Sequence, residues 1–216
     1  MKPDPRCLPS SLSWIATLLT LGCLAAASSR QASRGDHAAI PADPRHAMIA
    51  ALWAESPHRS IGAEAALFDH FVGAWDVEYS ILGPGESARR FSGELLFGWI
   101  LDGRALQDIW VAYPAPGSKE ERTLGTSVRF FDPSARKWRV VFVAPSFGSI
   151  SQLEGGAEGE RIVLHGSDTD GAMLRWSFDE IQADSFVWRG ELSRDEGETW
   201  FLQEEHRMRR RGAAPR

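Results

Sequence analysis

The chain of 216 residues contains only two cysteines, Cys7 and Cys23, and both lie near its start. The sequence beyond them therefore has no disulfide, no thiol nucleophile and no thiolate metal site. Lysine is almost as scarce, because Lys2, Lys119 and Lys137 are the only three. This scarcity argues against Schiff-base chemistry, and the absence of disulfides means that packing alone must hold the fold.

Positive charge is not in excess either. The chain has 24 Lys and Arg against 29 Asp and Glu, a formal net charge of −5. A nucleic-acid partner requires a basic face, so none is predicted. No nucleophile elbow, phosphate loop or dinucleotide fingerprint occurs, and no two histidines stand at metal-ligand spacing. The sequence predicts no metal site and no cofactor, and it favours a non-enzymatic protein without excluding catalysis.

No apolar run is long enough for an ordinary membrane-spanning helix. Residues 12–27 are apolar and follow Lys2 and Arg6, but a span needs roughly 20 residues. The run ends in small residues, so residues 1–28 are predicted to be a signal peptide of an exported, periplasmic or secreted protein. A second interpretation is a degraded lipobox at residues 20–23, which would make a lipoprotein attached to the membrane through a lipid at Cys23. An uncleaved anchor is the third.

The segment after the signal divides into a leader and a helical region. Residues 29–43 are small and polar and are predicted to be a flexible leader. Asp43 and Pro44 are typical of a helix N-cap and first position, and Ser56-Pro57 of a helix end. Two apolar stripes at helical spacing predict two short helices within residues 44–72 that pack against the next domain or across its open end. Their members are Met48, Ile49, Leu52 and Trp53, then Leu67, Phe68, Phe71 and Val72.

From Trp75 onward the apolar period changes to two. About ten short β-prone segments follow, separated by turn signals such as Asp102-Gly103, Asp132-Pro133-Ser134, Gly155-Gly156 and Asp170-Gly171. No helix alternates with them. The pattern predicts an all-β fold over residues 73–210, an antiparallel up-and-down barrel of about ten strands.

Gly73-Ala74-Trp75, at the start of the first strand, resembles the Gly-x-Trp signature of the calycin superfamily, which includes lipocalins and fatty-acid-binding proteins. The resemblance implies that Trp75 closes one end of the barrel and that an arginine near the last strand lies across it. Arg207 and Arg209 are the candidates for that arginine. This role is structural and supports the fold rather than a function.

Residues 193–200, SRDEGETW, resemble the Asp-box of sialidases. In that motif, Asp and Ser bond the backbone of a hairpin turn and Trp packs beneath it. The motif occurs once here, and Tyr79 and Tyr113 have no setting typical of a sialidase nucleophile. We therefore expect a stable turn between the last two strands, and no sialidase activity.

A wider resemblance covers about residues 67–210. Residues 71–79, residues 98–108, Arg175-Trp176-x-Phe178 and the Asp-box together resemble an uncharacterised bacterial family of lipocalin-like domains. The resemblance implies a lipocalin-like barrel and brings no established activity or catalytic residue.

The strand around residues 104–110 carries the strongest functional signal. Arg104, Asp108 and Trp110 share one face of it, and an inward-facing Arg104–Asp108 pair could orient a ligand in the lumen. A structural pair closing the hairpin is the alternative. The candidate ligand-binding residues are Trp99, Arg104, Asp108, Trp110, Trp138, Trp176 and Trp188.

Three hypotheses about function remain open at this stage. The first is a barrel that binds a small apolar or flat aromatic molecule in a Trp-lined lumen. The second is a structural or interaction module with a filled barrel and an exposed apolar patch. The third is an enzyme that uses Asp108, Glu191 or His206 as an acid or base, although Glu204-Glu205-His206 more simply indicates a solvated strand end.

Overall fold

The computed structural model describes residues 44–82 and 88–212, with side chains from residue 46 onward. The predicted signal peptide, the leader, Asp43 and Cys23 all lie outside the described residues. None of the helices in the described part of the chain is long and apolar enough to cross a bilayer.

Ten antiparallel strands close into an up-and-down barrel, which confirms the predicted fold class. Each strand from β2 to β11 pairs with its neighbours in sequence, and β11 pairs with β2 to close the sheet. The strands are β2 (Gly73–Ile81), β3 (Arg89–Ile100), β4 (Ala105–Ala112), β5 (Thr123–Asp132), β6 (Lys137–Ala144), β7 (Ser149–Glu158), β8 (Arg161–Ser167), β9 (Met173–Asp179), β10 (Ser185–Ser193) and β11 (Phe201–Arg210). A two-residue strand, β1 (Trp53–Ala54), precedes them.

The region before the barrel is helical, as predicted, but its first helix is shorter. Helix α1 (Pro44–Leu52) begins at the predicted proline and ends before Ser56-Pro57. It ends early because β1 pairs with the end of β3, Trp53 with Ile100 and Ala54 with Trp99. A 3-10 helix (Arg59–Ala65) and α2 (Ala66–Asp69) follow.

Helix α2 and the residues after it fill one end of the barrel. Phe68 and Phe71 are fully buried, with ring centroids 4.8 Å from Trp138 and 4.5 Å from Phe186, respectively. The apolar period of β2 brings Trp75 into the same cluster, where its Nε1 donates to the Phe71 carbonyl at 2.7 Å. We call this filled end, at the start of β2 and the end of β11, the closed end.

Candidate functional site

The barrel interior is hollow toward the other end. A cavity of about 410 Å³ lies between the strands there, and we call this the open end. Its lining comes from every barrel strand except β8, mostly from inward-facing residues, and from the β6–β7 and β8–β9 turns. The Phe and Trp members are Phe97, Trp110, Phe142, Phe147, Trp176, Phe178 and Trp188.

The aromatic wall of the cavity is a connected set of rings. Trp176 lies 5.3 Å from Trp188 and 5.6 Å from Phe142, in both cases close to edge-on. Trp188 in turn lies 4.6 Å from the ring of His206. Edge-to-face rings hold one another in place, so the wall is a largely preformed apolar surface.

A buried ion pair lies at the inner part of the cavity. Asp108 on β4 and Arg129 on β5 are 4% and 2% exposed, and Arg129 Nη2 donates to Asp108 Oδ2. The backbone N–H of Ser127, the residue opposite Asp108 in the ladder, donates to Asp108 Oδ1 at 3.1 Å. Burial of a charge in an apolar barrel is tolerable only with such partners. The pair therefore fixes two polar groups within an otherwise apolar lumen.

His206 is a second polar group of the lumen. It is 6% exposed, and its Nε2 lies 2.9 Å from Glu204 Oε2 nearer the mouth. Its ring lies nearly parallel to that of Trp110, and Tyr79 packs 5.5 Å away. Burial raises the pKa of Tyr79, and the negative charge of Glu204 raises it further. His206 is therefore part of the cavity wall and not of a solvated strand end.

The Asp-box forms the turn between β10 and β11 at the open end. The Ser193 hydroxyl donates to Asp195 at 2.7 Å, and the Gly197 N–H donates to Ser193 Oγ at 2.9 Å. Hydrogen bonds from the Thr199 hydroxyl and backbone lower the pKa of Asp195 to about 2. Trp200 donates to the Gly197 carbonyl, and Arg175 lies 4.3 Å above its ring. The motif thus builds a hairpin turn, as its sequence indicates.

Four of the seven predicted ligand-binding residues line the cavity. These are Asp108, Trp110, Trp176 and Trp188. Trp99 and Trp138 face inward too, but both are almost fully buried in the packed cluster of the closed end. They differ from the cavity-lining residues in their depth along the barrel axis. The alternation of inward and outward residues in a strand does not specify that depth.

The predicted pairing of Arg104 with Asp108 is wrong. Arg104 lies in the β3–β4 turn, where Leu101 and Asp102 have φ of 53° and Gly103 has φ of 75°. This four-residue turn takes Arg104 out of the strand, where it contacts Asp102 and His58 and remains exposed. Asp108 pairs with Arg129 instead.

The arginine across Trp75 is Arg210, not Arg207 or Arg209. Its guanidinium carbon lies 4.2 Å from the Trp75 ring, and it donates to the carbonyls of Val72 and Ala183. Arg207 and Arg209 have the opposite parity on β11 and are exposed. His206 and Met208 are buried and face into the barrel. Because alternate residues of a strand share a face, Arg210 faces inward too, at the end of β11.

Of the other acid or base candidates, Glu191 lies outside the cavity lining. Both its carboxylate oxygens accept hydrogen bonds from Arg175, at 2.6 and 2.8 Å.

Sequence reasoning missed Arg129 as the partner of Asp108. The available signal was the alternation of β5, which puts Gly125, Ser127 and Arg129 on one inward face.

Comparisons with known proteins identify the fold. No family model matches the chain, and no curated protein matches it. The crystal structure of Rv2717c from M. tuberculosis is similar with a TM-score of 0.53 at 16% identity, covering 72% of this chain and 99% of that one. The S-type phycobiliprotein lyase CPES from Guillardia theta is similar with a TM-score of 0.51 at 12% identity, covering 69% and 93%.

At these identities the likeness concerns the fold alone. Both solved structures are lipocalin- or calycin-like barrels that match over nearly their whole length. The Gly-x-Trp start and the arginine over Trp75 agree with the same architecture. The described barrel therefore has a calycin-like fold.

Proposed function

We propose that this protein is a carrier that holds one small, largely apolar molecule in the open end of its barrel. The observation that supports this is the cavity of about 410 Å³ with its wall of aromatic rings. Protein interiors normally pack without voids larger than a water molecule. A void of this size falls in the range of small-molecule sites, which are apolar pockets with few polar groups.

The polar groups of the cavity are few and fixed, which favours binding in one orientation. Asp108 and Arg129 form a pair, and His206 contacts Glu204. The rest of the inner lining is mainly aromatic and aliphatic. The alternative of an interaction module with a filled barrel requires a packed lumen, and the open end is not packed.

Native mass spectrometry of the protein purified from its own host tests the carrier proposal. We expect a small molecule at one copy per chain that is released on denaturation. A protein that is empty, and that binds none of a panel of lipids and flat aromatic compounds, would contradict the proposal.

A variant that fills the cavity tests whether the ligand binds there. Ser151 is buried on β7 and lines the cavity, whereas its neighbour Gln152 is exposed on the outer face. We expect Ser151→Phe to reduce the bound fraction strongly, because the ring occupies the space of the ligand. Gln152→Phe is the matched control on the same strand and should leave binding unchanged.

We also propose that the protein is exported, either as a periplasmic or secreted protein or as a lipoprotein. The support is the apolar run at residues 12–27 after a basic start. Intact mass measurement of the protein from its host distinguishes the outcomes. A chain that starts near residue 29 indicates a cleaved signal peptide, and a lipid-modified Cys23 indicates a lipoprotein. A chain that retains residue 1 contradicts cleavage.

A further inference from the structure

The cavity contains buried hydrogen-bond donors that lack an acceptor. Among the described residues, the buried side-chain polar atoms without a hydrogen-bond partner are Trp110 Nε1, Trp138 Nε1, Arg129 Nε and Arg129 Nη1. All four are N–H donors, and none is an acceptor. Three of them belong to Trp110 and Arg129, which line the cavity. Buried polar groups in native proteins are nearly always paired, so a group that pairs with these three donors must be an acceptor.

Arg129 is held in place by groups that leave these donors unused. Of the three guanidinium nitrogens, only Nη2 donates to Asp108. The guanidinium carbon lies 5.2 Å from the Phe68 ring and 5.1 Å from the Phe97 ring. The rings attract the charge but offer no lone pair along the N–H directions. The guanidinium is therefore anchored on several sides, while its Nε and Nη1 have no acceptor among the described residues.

The charge of the lining indicates what kind of acceptor fits. Asp108, Asp168 and Glu204 contribute three carboxylates, whereas Arg129 is the one guanidinium among the lining residues. The charge of Arg129 is already matched by Asp108 at hydrogen-bonding distance. A carboxylate on the ligand would place a second buried anion beside a single cation, which is costly in an apolar interior. A neutral oxygen adds the acceptor without adding charge.

We propose that the ligand is a neutral, flat, largely apolar molecule with a carbonyl oxygen, which enters oxygen first and accepts a hydrogen bond from Arg129. Trp110 is nearer the mouth on the same inward face as Asp108 and supplies a second donor. The aromatic wall formed by Trp176, Trp188 and Phe142 contacts the faces and edges of the molecule. This assignment rests on the proposed carrier function and narrows its ligand class.

Three probes that share the flat tricyclic fluorene skeleton test this assignment by isothermal titration calorimetry on the whole chain. They are fluorene, 9-fluorenone and fluorene-9-carboxylate. We expect fluorenone to bind about tenfold or more tightly than fluorene, the gain for a hydrogen bond from a charged donor. We expect the carboxylate to bind more weakly than fluorenone at neutral pH.

The outcomes separate the two proposals. If fluorenone has no advantage over fluorene, or if the carboxylate binds most tightly, the carbonyl assignment is overturned while the carrier function stands. If none of the three probes binds, the carrier of flat apolar molecules is itself overturned, and the assignment fails with it.

Variants locate the donor. Replacing Arg129→Met together with Asp108→Leu removes the donors of Arg129 and keeps that of Trp110, without leaving a lone buried charge. We expect this variant to lose most of the advantage of fluorenone while still binding fluorene, and fluorene binding also reports that the barrel is folded. Arg129→Lys keeps the charge but lacks the guanidinium donors at Nε and Nη1, and it should lose most of the same advantage. Arg104→Met, at an exposed arginine of the turn, is the control. An undiminished advantage in Arg129→Lys would overturn the assignment.

Discussion

The two ends of the barrel differ in what occupies the space between the same ten strands. At the closed end, Phe68 and Phe71 enter from outside the sheet and pack against Trp75, Trp138 and Phe186 until these side chains are almost completely buried. At the open end no segment of the described chain enters in this way, and a cavity of about 410 Å³ remains. The sheet provides an aromatic inner wall throughout, and the short helical segment decides which part becomes core.

Because of this difference, one end of the inner surface contributes to the stability of the fold and the other end is available for binding. Aromatic residues at the closed end have partners on all sides, so their contacts stabilise the fold. Those at the open end have one side without a protein partner, so part of their contact surface is available to another molecule. Asp108 and Arg129 lie at the boundary, since Arg129 contacts Phe68 and also lines the cavity.

The largest effect should come from breaking the pair at this boundary. We expect Arg129→Met alone to lower the free energy of unfolding by about 3–5 kcal/mol, because Asp108 is left buried without its cation. The double variant Arg129→Met with Asp108→Leu should recover most of that loss. Urea denaturation of the two variants and the wild type measures both changes. Equal stability of the single and double variants would show that the pair is not coupled in this way.

Two tryptophans compare the ends directly. We expect Trp138→Ala, at the closed end, to cost about 3–5 kcal/mol of unfolding free energy. Trp188→Ala, at the open end, should cost roughly half as much, because the indole already lacks contacts on its cavity side. The order should reverse for ligand affinity, with Trp188→Ala causing the greater loss. Urea denaturation tests the predicted order of the losses in stability. Titration with one flat apolar probe tests the predicted order of the losses in affinity.

The closure of the barrel at Trp75 should depend on Arg210 alone among the terminal arginines. We expect Arg210→Met to lower the unfolding free energy by about 2 kcal/mol, from the lost cation–π contact and hydrogen bonds to carbonyls. Arg209→Met, at an exposed position one residue earlier, should change it by less than about 0.5 kcal/mol. Thermal unfolding of both variants provides the comparison, and similar shifts would contradict it.

The smallest effect should appear at the open-end turn and only at certain pH values. The pKa of Asp195 is about 2 in the folded chain, below its usual 3.8. The carboxylate therefore stabilises the turn above about pH 4, and this contribution is lost as pH falls toward 2. We expect Asp195→Asn to be less stable than the wild type at pH 5–7, with the difference vanishing near pH 2. A pH-independent difference would show that the charge is not responsible.

The alternation of the strands carried most of the information that the sequence offers about this fold. It placed Trp75, Trp110, Trp176 and Trp188 on the inner surface, while local chemistry identified the last turn through the Asp-box and the start of the first barrel strand through Gly-x-Trp. These features depend on residues close together in the chain, for which spacing is sufficient.

The remaining details depend on cross-strand register and on depth. Arg129 meets Asp108 because β4 and β5 pair Asp108 with Ser127, and no local pattern specifies that register. Trp99 and Trp138 have the same inward period as Trp188, but they lie where Phe68 enters the barrel. A single strand cannot indicate which of its inward positions will meet the helical segment. Arg104 was misplaced for a local reason, because left-handed residues lengthened its turn by two positions.

The places where the described chain enters and leaves the barrel have a consequence for access to the cavity. The backbone enters at Gly73 and leaves after Arg210, and Arg211 N–H bonds to the Ala74 carbonyl, so both connections are at the closed end. The mouth of the cavity is at the opposite end of the same strands. The segments that join the barrel before Gly73 and after Arg210 therefore do so away from the mouth, and a molecule can reach the cavity without passing either connection.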